Sequence, residues 1–367
     1  MFKNFNFKNM DKKTKLYLGV GGGSIILLIL LLIILKIMVG SRIGSHQFEN
    51  RLKNAAIKYY EKYPDKLPKT SGNKVSISID ELVKNGNLKS LDKLLDKGLT
   101  CEGNVNVSNN NGYYLYQPII KCSDSYETNL LYKKILSDNP VTTSGDGLYK
   151  VNDYYLYRGE TLKNYASFAG KKYQIIKINN DNTIRMILVD NIDMTVWDNR
   201  YNNETENTSG KNDYSISRVR ETLKEYFEDD KTFKKEEKAL IVPQSLCIGA
   251  RSEKTNINDG SIECSKKLDN EPLGLLQVNE YVLSSLEPTC KNIFDNQCTN
   301  YNYLANLPNT WTLTANSKNT YEVYKISNYV YSSNAEYDAQ PQFVITISAD
   351  ALYNSGDGTE DNPYIIK

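Results

Sequence analysis

The stretch CEGNVNVSNNNGYYLYQPIIKC, residues 101–122, reads as a complete β-hairpin, and the fold is read outward from it. From Asn104 to Cys122 two alternating apolar and polar runs flank Asn109-Asn110-Asn111-Gly112, the composition of a tight turn between antiparallel strands. Cys101 and Cys122 bracket the hairpin, so a bridge between them would staple a small domain by about 3 kcal/mol on the chain-entropy account. Upstream, Phe48, Leu52, Ala55, Ala56, Tyr59 and Tyr60 fall on one helical face, and Pro64 ends that pattern. Val75 to Ile79 alternates as a strand, and Asp80 is expected to cap a short helix ending at Asn85-Gly86.

Further upstream, Leu16 to Leu35 is a run of twenty residues without a charge, long enough as a helix to span about 30 Å of hydrocarbon. The expectation is an uncleaved transmembrane anchor over residues 16–40 behind a cytoplasmic tail of residues 1–15. A cleaved signal peptide is the competing reading, but the run exceeds the usual length and no small-residue cleavage site follows it. Lys3, Lys8, Lys12, Lys13 and Lys15 precede the span while Lys36, Arg42, Arg51 and Lys53 follow it, which only slightly favours a cytoplasmic N-terminus. Gly19 and Gly23 form a Gly-x-x-x-Gly pair that would let two such helices dimerise.

Cysteine usage carries more of the orientation. All six cysteines follow the apolar run, in three close pairs: Cys101 with Cys122, Cys247 with Cys264, and Cys290 with Cys298. Three local bridges would fit an oxidising exterior, against fourteen other connectivities or six reduced thiols. No pair has Cys-x-x-Cys spacing, which argues against zinc. The expected placement is therefore a single-pass plasma-membrane protein with its C-terminal region extracellular.

Downstream of the hairpin, residues 123–144 read as a partly helical connector broken at Asn139-Pro140, and residues 145–367 as a larger α+β domain. Its strand candidates are Tyr154–Tyr157, Lys172–Ile178, Thr183–Val189, Trp311–Thr314, Tyr321–Ile326 and Gln342–Ser348, and its helix candidates are Ile216–Phe227 and Lys234–Leu240. Ser144-Gly145-Asp146-Gly147 recurs as Ser355-Gly356-Asp357-Gly358, and Asn362-Pro363-Tyr364 reads as a closing turn and edge strand. The 367 residues thus divide into an anchor, a small stapled domain over 41–122 and a larger domain.

Composition excludes several functions. A net charge of +1 with interspersed signs leaves no basic surface for nucleic acid. The one histidine, His46, lies close to the apolar run, so Ser-His-Asp or Cys-His catalysis is not expected. Gly21-Gly22-Gly23 lacks the Lys-Ser/Thr ending of a phosphate loop. Asp357 and Asp361, with Glu360, are weak calcium candidates, since Gly-Asp-Gly is chiefly turn chemistry. No cofactor is otherwise expected. The 28 tyrosines against 9 phenylalanines point to aromatics with a polar tip, and Trp197, Tyr301, Tyr303, Tyr329 and Tyr331 are the candidate ligand-binding residues. For Trp311, inside a strand run, a core position is favoured.

Several phrases resemble a family of single-pass surface proteins of low-GC Gram-positive bacteria. They are Lys121-Cys122, Ser144 to Tyr149, Tyr157-Arg158-Gly159 with Asn164-Tyr165 and Phe168, Tyr173 to Ile176, Val219 to Phe227, Gly274 to Leu276, Trp311 to Leu313 and Gly356 to Tyr364. The resemblance implies a C-terminal domain of the C-type-lectin-like or formylglycine-generating-enzyme-like fold, displayed to recognise an extracellular glycan or protein. Thr310-Trp311 and Gln340-Pro341 depart from that family's Trp-Trp and Arg-Pro, which weakens any contact carried over at those positions. A structural envelope or pilus-like component is the alternative, and an enzyme on the same scaffold a lesser one.

Overall fold

In the computed structural model, which describes residues 42–293 and 296–367, the 101–122 stretch is a hairpin of two ten-residue strands. It belongs to a first unit of α1 (Ser45–Lys62), β1 (Lys74–Ser78), α2 (Ile79–Lys84), α3 (Leu91–Leu94), β2 (Cys101–Asn110) and β3 (Tyr113–Cys122). Asn111 and Gly112 both adopt positive φ, 54° and 86°, the pair of conformations a two-residue type I′ turn needs. Cys101 lies directly opposite Cys122 and is disulfide-bonded to it. Gly103 is required by close approach, because a Cβ there would sit 2.1 Å from the Ile119 carbonyl oxygen.

Helix α1 buries Phe48, Leu52, Ala55, Ala56, Tyr59 and Tyr60 against this sheet, each large apolar side chain contributing about 1.5–3 kcal/mol. It stops at Tyr63, the residue before Pro64, as proline sterics demand. The cap of α2 is Ser78, not Asp80: the Ser78 hydroxyl accepts from the Glu81 N–H at 3.1 Å.

The second unit begins with α4 (Leu131–Asp138), whose Leu131 and Ile135 are buried in the larger core, so residues 123–144 are partly built into it. Five strands follow: β4 (Gly147–Val151), β5 (Tyr154–Arg158), β6 (Tyr165–Phe168), β7 (Lys171–Ile178) and β8 (Ile184–Leu188). Then come β9 (Thr195–Val196), α5 (Arg218–Glu228), α6 (Lys235–Leu240), β10 (Gln244–Cys247), β11 (Lys267–Glu271), β12 (Gly274–Leu275) and α7 (Val278–Ser284). The chain closes through β13 (Thr310–Ala315), β14 (Glu322–Ser327), β15 (Tyr329–Asn334), β16 (Asp338–Ala339), β17 (Phe343–Ile347), β18 (Tyr353–Ser355) and β19 (Tyr364–Ile366).

Nine strands form one mixed sheet with the main path β12-β17-β8-β7-β6-β19-β18, and β13-β14-β15 form a separate antiparallel sheet. The expected terminal edge strand is interior: β19 runs parallel to β6 and is flanked on its other side by β18. Strands β8 and β17 are buried at every residue, which accounts for their continuous rather than alternating apolar runs.

These observations correct the expected fold class of a transmembrane helix, a small helix-plus-hairpin domain and a C-type-lectin-like α+β domain. The described residues form a mixed α/β architecture with seven α-helices and nineteen strands. Among them no helix is long and apolar enough to cross a membrane, and the longest, α1, is amphipathic with only one face buried. The anchor expected at 16–40, with Gly19 and Gly23, lies outside the described residues. Nor is the hairpin confined to its own unit. Leu115 enters the larger core, Asn110 donates to the Ala239 carbonyl at 2.7 Å, and Asn111 donates to the Ile241 carbonyl at 2.8 Å. Lys74 and Asn106 reach Asp350 at 2.7 and 3.0 Å. The hairpin is therefore covered on both faces, which alternation within its own residues does not announce.

Candidate functional site

Two places in the larger unit bring polar chemistry to an accessible surface. The first lies at the sheet β13-β14-β15. Strand pairing sets Trp311 opposite Lys325 and Lys325 opposite Tyr331, so the three side chains form one row across the sheet. The Lys325 ammonium lies 5.4 Å from the Trp311 ring centre and 5.2 Å from that of Tyr331, a double cation–π arrangement. Burial lowers the pKa of Lys325, and among the described residues no carboxylate lies in ion-pair range of it. Tyr329 packs against Tyr331 at a tilt of 45° with ring centres 5.5 Å apart, and it is 46 % exposed. Because residues two apart share a face of a strand, the sheet edge carries both tyrosine rings on one face, with Lys325, only 7 % exposed, packed against Tyr331.

The second place is a polar cleft of about 320 Å³ between the β7–β8 hairpin and the segment closed by the Cys247–Cys264 disulfide. Register places Lys177 of β7 opposite Arg185 of β8, and Glu280 in the first turn of α7 faces both. Arg185 donates to Glu280 through Nε at 2.6 Å and Nη2 at 3.0 Å, and to Gln244 Oε1 at 2.6 Å. Glu280 also accepts from the Gln277 N–H at 3.0 Å, one half of the capping box that starts α7. Lys177 stands 3.5 Å from Glu280. Burial alone would push the Glu280 carboxyl up, but Arg185 and Lys177 outweigh it and hold the pKa at about 2. Burial also lowers the pKa of Lys177, against the pull of Glu280. On the cleft wall Asn279 is only 7 % exposed, and its Oδ1 has no hydrogen-bond partner.

The residues predicted from sequence divide between surface and core. Tyr329 and Tyr331 come together as described. Tyr301 is exposed at φ 49°, on a segment that reaches the β14–β15 turn through the Thr299 hydroxyl donating to the Asn328 carbonyl at 3.1 Å. Trp197 and Tyr303 are fully buried and offer no ring face to a ligand. Trp197 Nε1 donates to the Thr312 carbonyl at 3.1 Å, and Trp311 Nε1 to the Thr195 carbonyl at 2.8 Å, so the two indoles lock β13 to the β9 segment. Asp357 accepts from the Thr359 N–H and hydroxyl within its own turn. Among the described residues no group of three or more His, Cys, Asp or Glu could hold a metal ion. The six cysteines form the three local disulfides, Cys290–Cys298 being the third.

Lys325, Lys177, Arg185, Asn279 and Glu280 escaped the sequence reading. Two carried a signal: Arg185 stands alone in the apolar run Ile-Arg-Met-Ile-Leu, and Gln277-x-x-Glu280 opens a helix. No family model, curated protein or solved structure matches the chain.

Proposed function

We propose that this is a membrane-anchored binding protein of the cell exterior that recognises a glycan or protein through the aromatic edge of the β13-β14-β15 sheet. The observation that carries the reading is the tilted contact of exposed Tyr329 with half-buried Tyr331 beside Lys325, a cation that spends no charge on an acidic partner among the described residues. Tyrosine faces pack against the apolar faces of sugar rings or against partner side chains while their hydroxyls remain hydrated, and the adjacent ammonium favours ligands with negative charge. Three disulfides support an oxidising location, since such bonds persist outside the cytosol. The reading concerns recognition, and neither place described above requires a reaction.

The test is a glycan array and a cell-wall pulldown with the full-length chain, repeated with Tyr329→Ala and Tyr331→Ala. Loss of either ring is expected to weaken binding by about tenfold, the equivalent of about 1.4 kcal/mol. Retained ligand that is indifferent to both substitutions would remove the aromatic edge from the mechanism. No ligand, with concentration-dependent self-association of the chain, would favour an assembly component instead.

A further inference from the structure

We propose that the cleft between the β7–β8 hairpin and the Cys247–Cys264 segment is a second binding site, for a hydroxylated monocarboxylate of the uronic-acid class whose carboxylate is received by Lys177. The charge arrangement supplies the first reason. Both Glu280 oxygens are already engaged, Oε1 by Arg185 and Oε2 by Arg185 and the Gln277 N–H. Arg185 thus neutralises Glu280 through a bidentate pair, and Lys177, at 3.5 Å, is left as a surplus cation at the edge of a saturated carboxylate. An ammonium carries three donors, and among the described residues its neighbours besides Glu280 are the Tyr154 ring, 5.8 Å away, and Arg185, which repels it. A surplus cation in a partly dehydrated position is costly unless an anion joins it.

The second reason is independent of charge. Asn279 Oδ1 is a buried acceptor without a donor, and leaving such a group unmet costs about 1–3 kcal/mol. It lines the same cleft as Lys177, so a ligand hydroxyl reaching it would satisfy it. On the rim, Asp181 and Asp259 each use Oδ1 within their own turns, to Thr183 and Ser261 respectively. The second oxygen of each is available to ligand hydroxyls. Their negative charge also selects against a ligand bearing a second anionic group, which distinguishes a uronate from a sugar phosphate. A volume near 320 Å³ lies at the small end of ligand sites and suits a single sugar-sized molecule.

The site is separate from the aromatic edge, so each can be tested without the other. Isothermal titration of the full-length chain in detergent with D-galacturonate, D-galactose and D-galactose 1-phosphate reads the proposal directly. Saturable binding of galacturonate is expected, at least about tenfold tighter than for the other two sugars. Lys177→Met should remove that preference, and Asn279→Leu should weaken galacturonate by about tenfold, neither with a thermal transition substantially below that of the parent chain. Tyr329→Ala should leave it unchanged. Equal affinity for galactose and galacturonate, an unaltered preference in Lys177→Met, or no galacturonate binding at all would each overturn the proposal.

Discussion

Two arginine–glutamate pairs in the larger unit look alike by distance and differ in what surrounds them. Arg251 and Glu263 are both fully buried, with Nη1 and Oε1 2.9 Å apart. Arg251 also donates to Asn258 Oδ1 at 2.5 Å and the Thr255 carbonyl at 3.3 Å. Its own carbonyl accepts from the Tyr324 hydroxyl at 3.0 Å. That pair sits inside the stretch bounded by Cys247 and Cys264, balances to zero, and opens onto no surface. Arg185 and Glu280 approach to 2.6 Å, but Lys177 joins them and tips the group to a net positive charge beside the cleft. The difference teaches how to separate a staple from a site. A closed pair uses its charge internally, whereas an open triad carries charge that its own fold does not consume.

The comparison breaks most visibly at the closed pair. Arg251→Met leaves the Glu263 carboxylate buried without a counter-charge and should cost about 3–5 kcal/mol in urea denaturation, while the double change Arg251→Met/Glu263→Leu should recover most of the loss. A single-variant cost below about 1 kcal/mol would show that water reaches the pair and that the contrast with the cleft is false. At the open triad, Glu280→Gln should cost less, because the two cations left behind can relax toward the cleft. Its clearer signature is in pH. The Glu280 carboxyl titrates at about 2 in the folded chain against an ordinary value of 4.5. A depressed carboxyl stabilises the fold above its unfolded value and loses that contribution as pH falls. Thermal melts should therefore show an extra loss between about pH 4.5 and pH 2 that is absent from Glu280→Gln. Parallel curves for the two proteins across that range would place the charge balance elsewhere.

What the sequence disclosed follows the same division between local and distant partners. The 101–122 hairpin and its Asn111-Gly112 turn lie within twenty-two residues, and there pattern reading sufficed, while the Cys101–Cys122 bridge was one of fifteen pairings until the structure showed it. The Lys172–Ile178 and Thr183–Val189 pair was legible for the same reason. The triad was not, because Arg185 and Glu280 are 95 positions apart and nothing in either neighbourhood names the other. Tyrosine and tryptophan content could not sort core from surface either. Trp197 and Trp311 satisfy their indole N–H groups on each other's strand segments and disappear inside, whereas Tyr329 reaches solvent because β15 ends its sheet. The cap of α2 moved from Asp80 to Ser78 by a two-residue difference that only the hydrogen bond resolves.

The smallest effect on stability is expected where the largest effect on binding is. Lys177 contributes little to holding the triad together, since Glu280 keeps its bidentate partner without it. Folding also lowers the Lys177 pKa below 10.5, burial outweighing the attraction of Glu280. For a base, that sign means folding penalises the charged form, so the penalty is present at neutral pH and fades as pH rises through the folded pKa toward the unfolded one. Lys177→Met removes a penalised charge and replaces it with an apolar chain that can lie along Tyr154. The unfolding free energy should thus change by less than about 1 kcal/mol in either direction, and its alkaline drift should flatten. A loss as large as that of Arg251→Met would show that Lys177 is part of the staple after all, and the distinction between a closed pair and an open triad would fail at its defining residue.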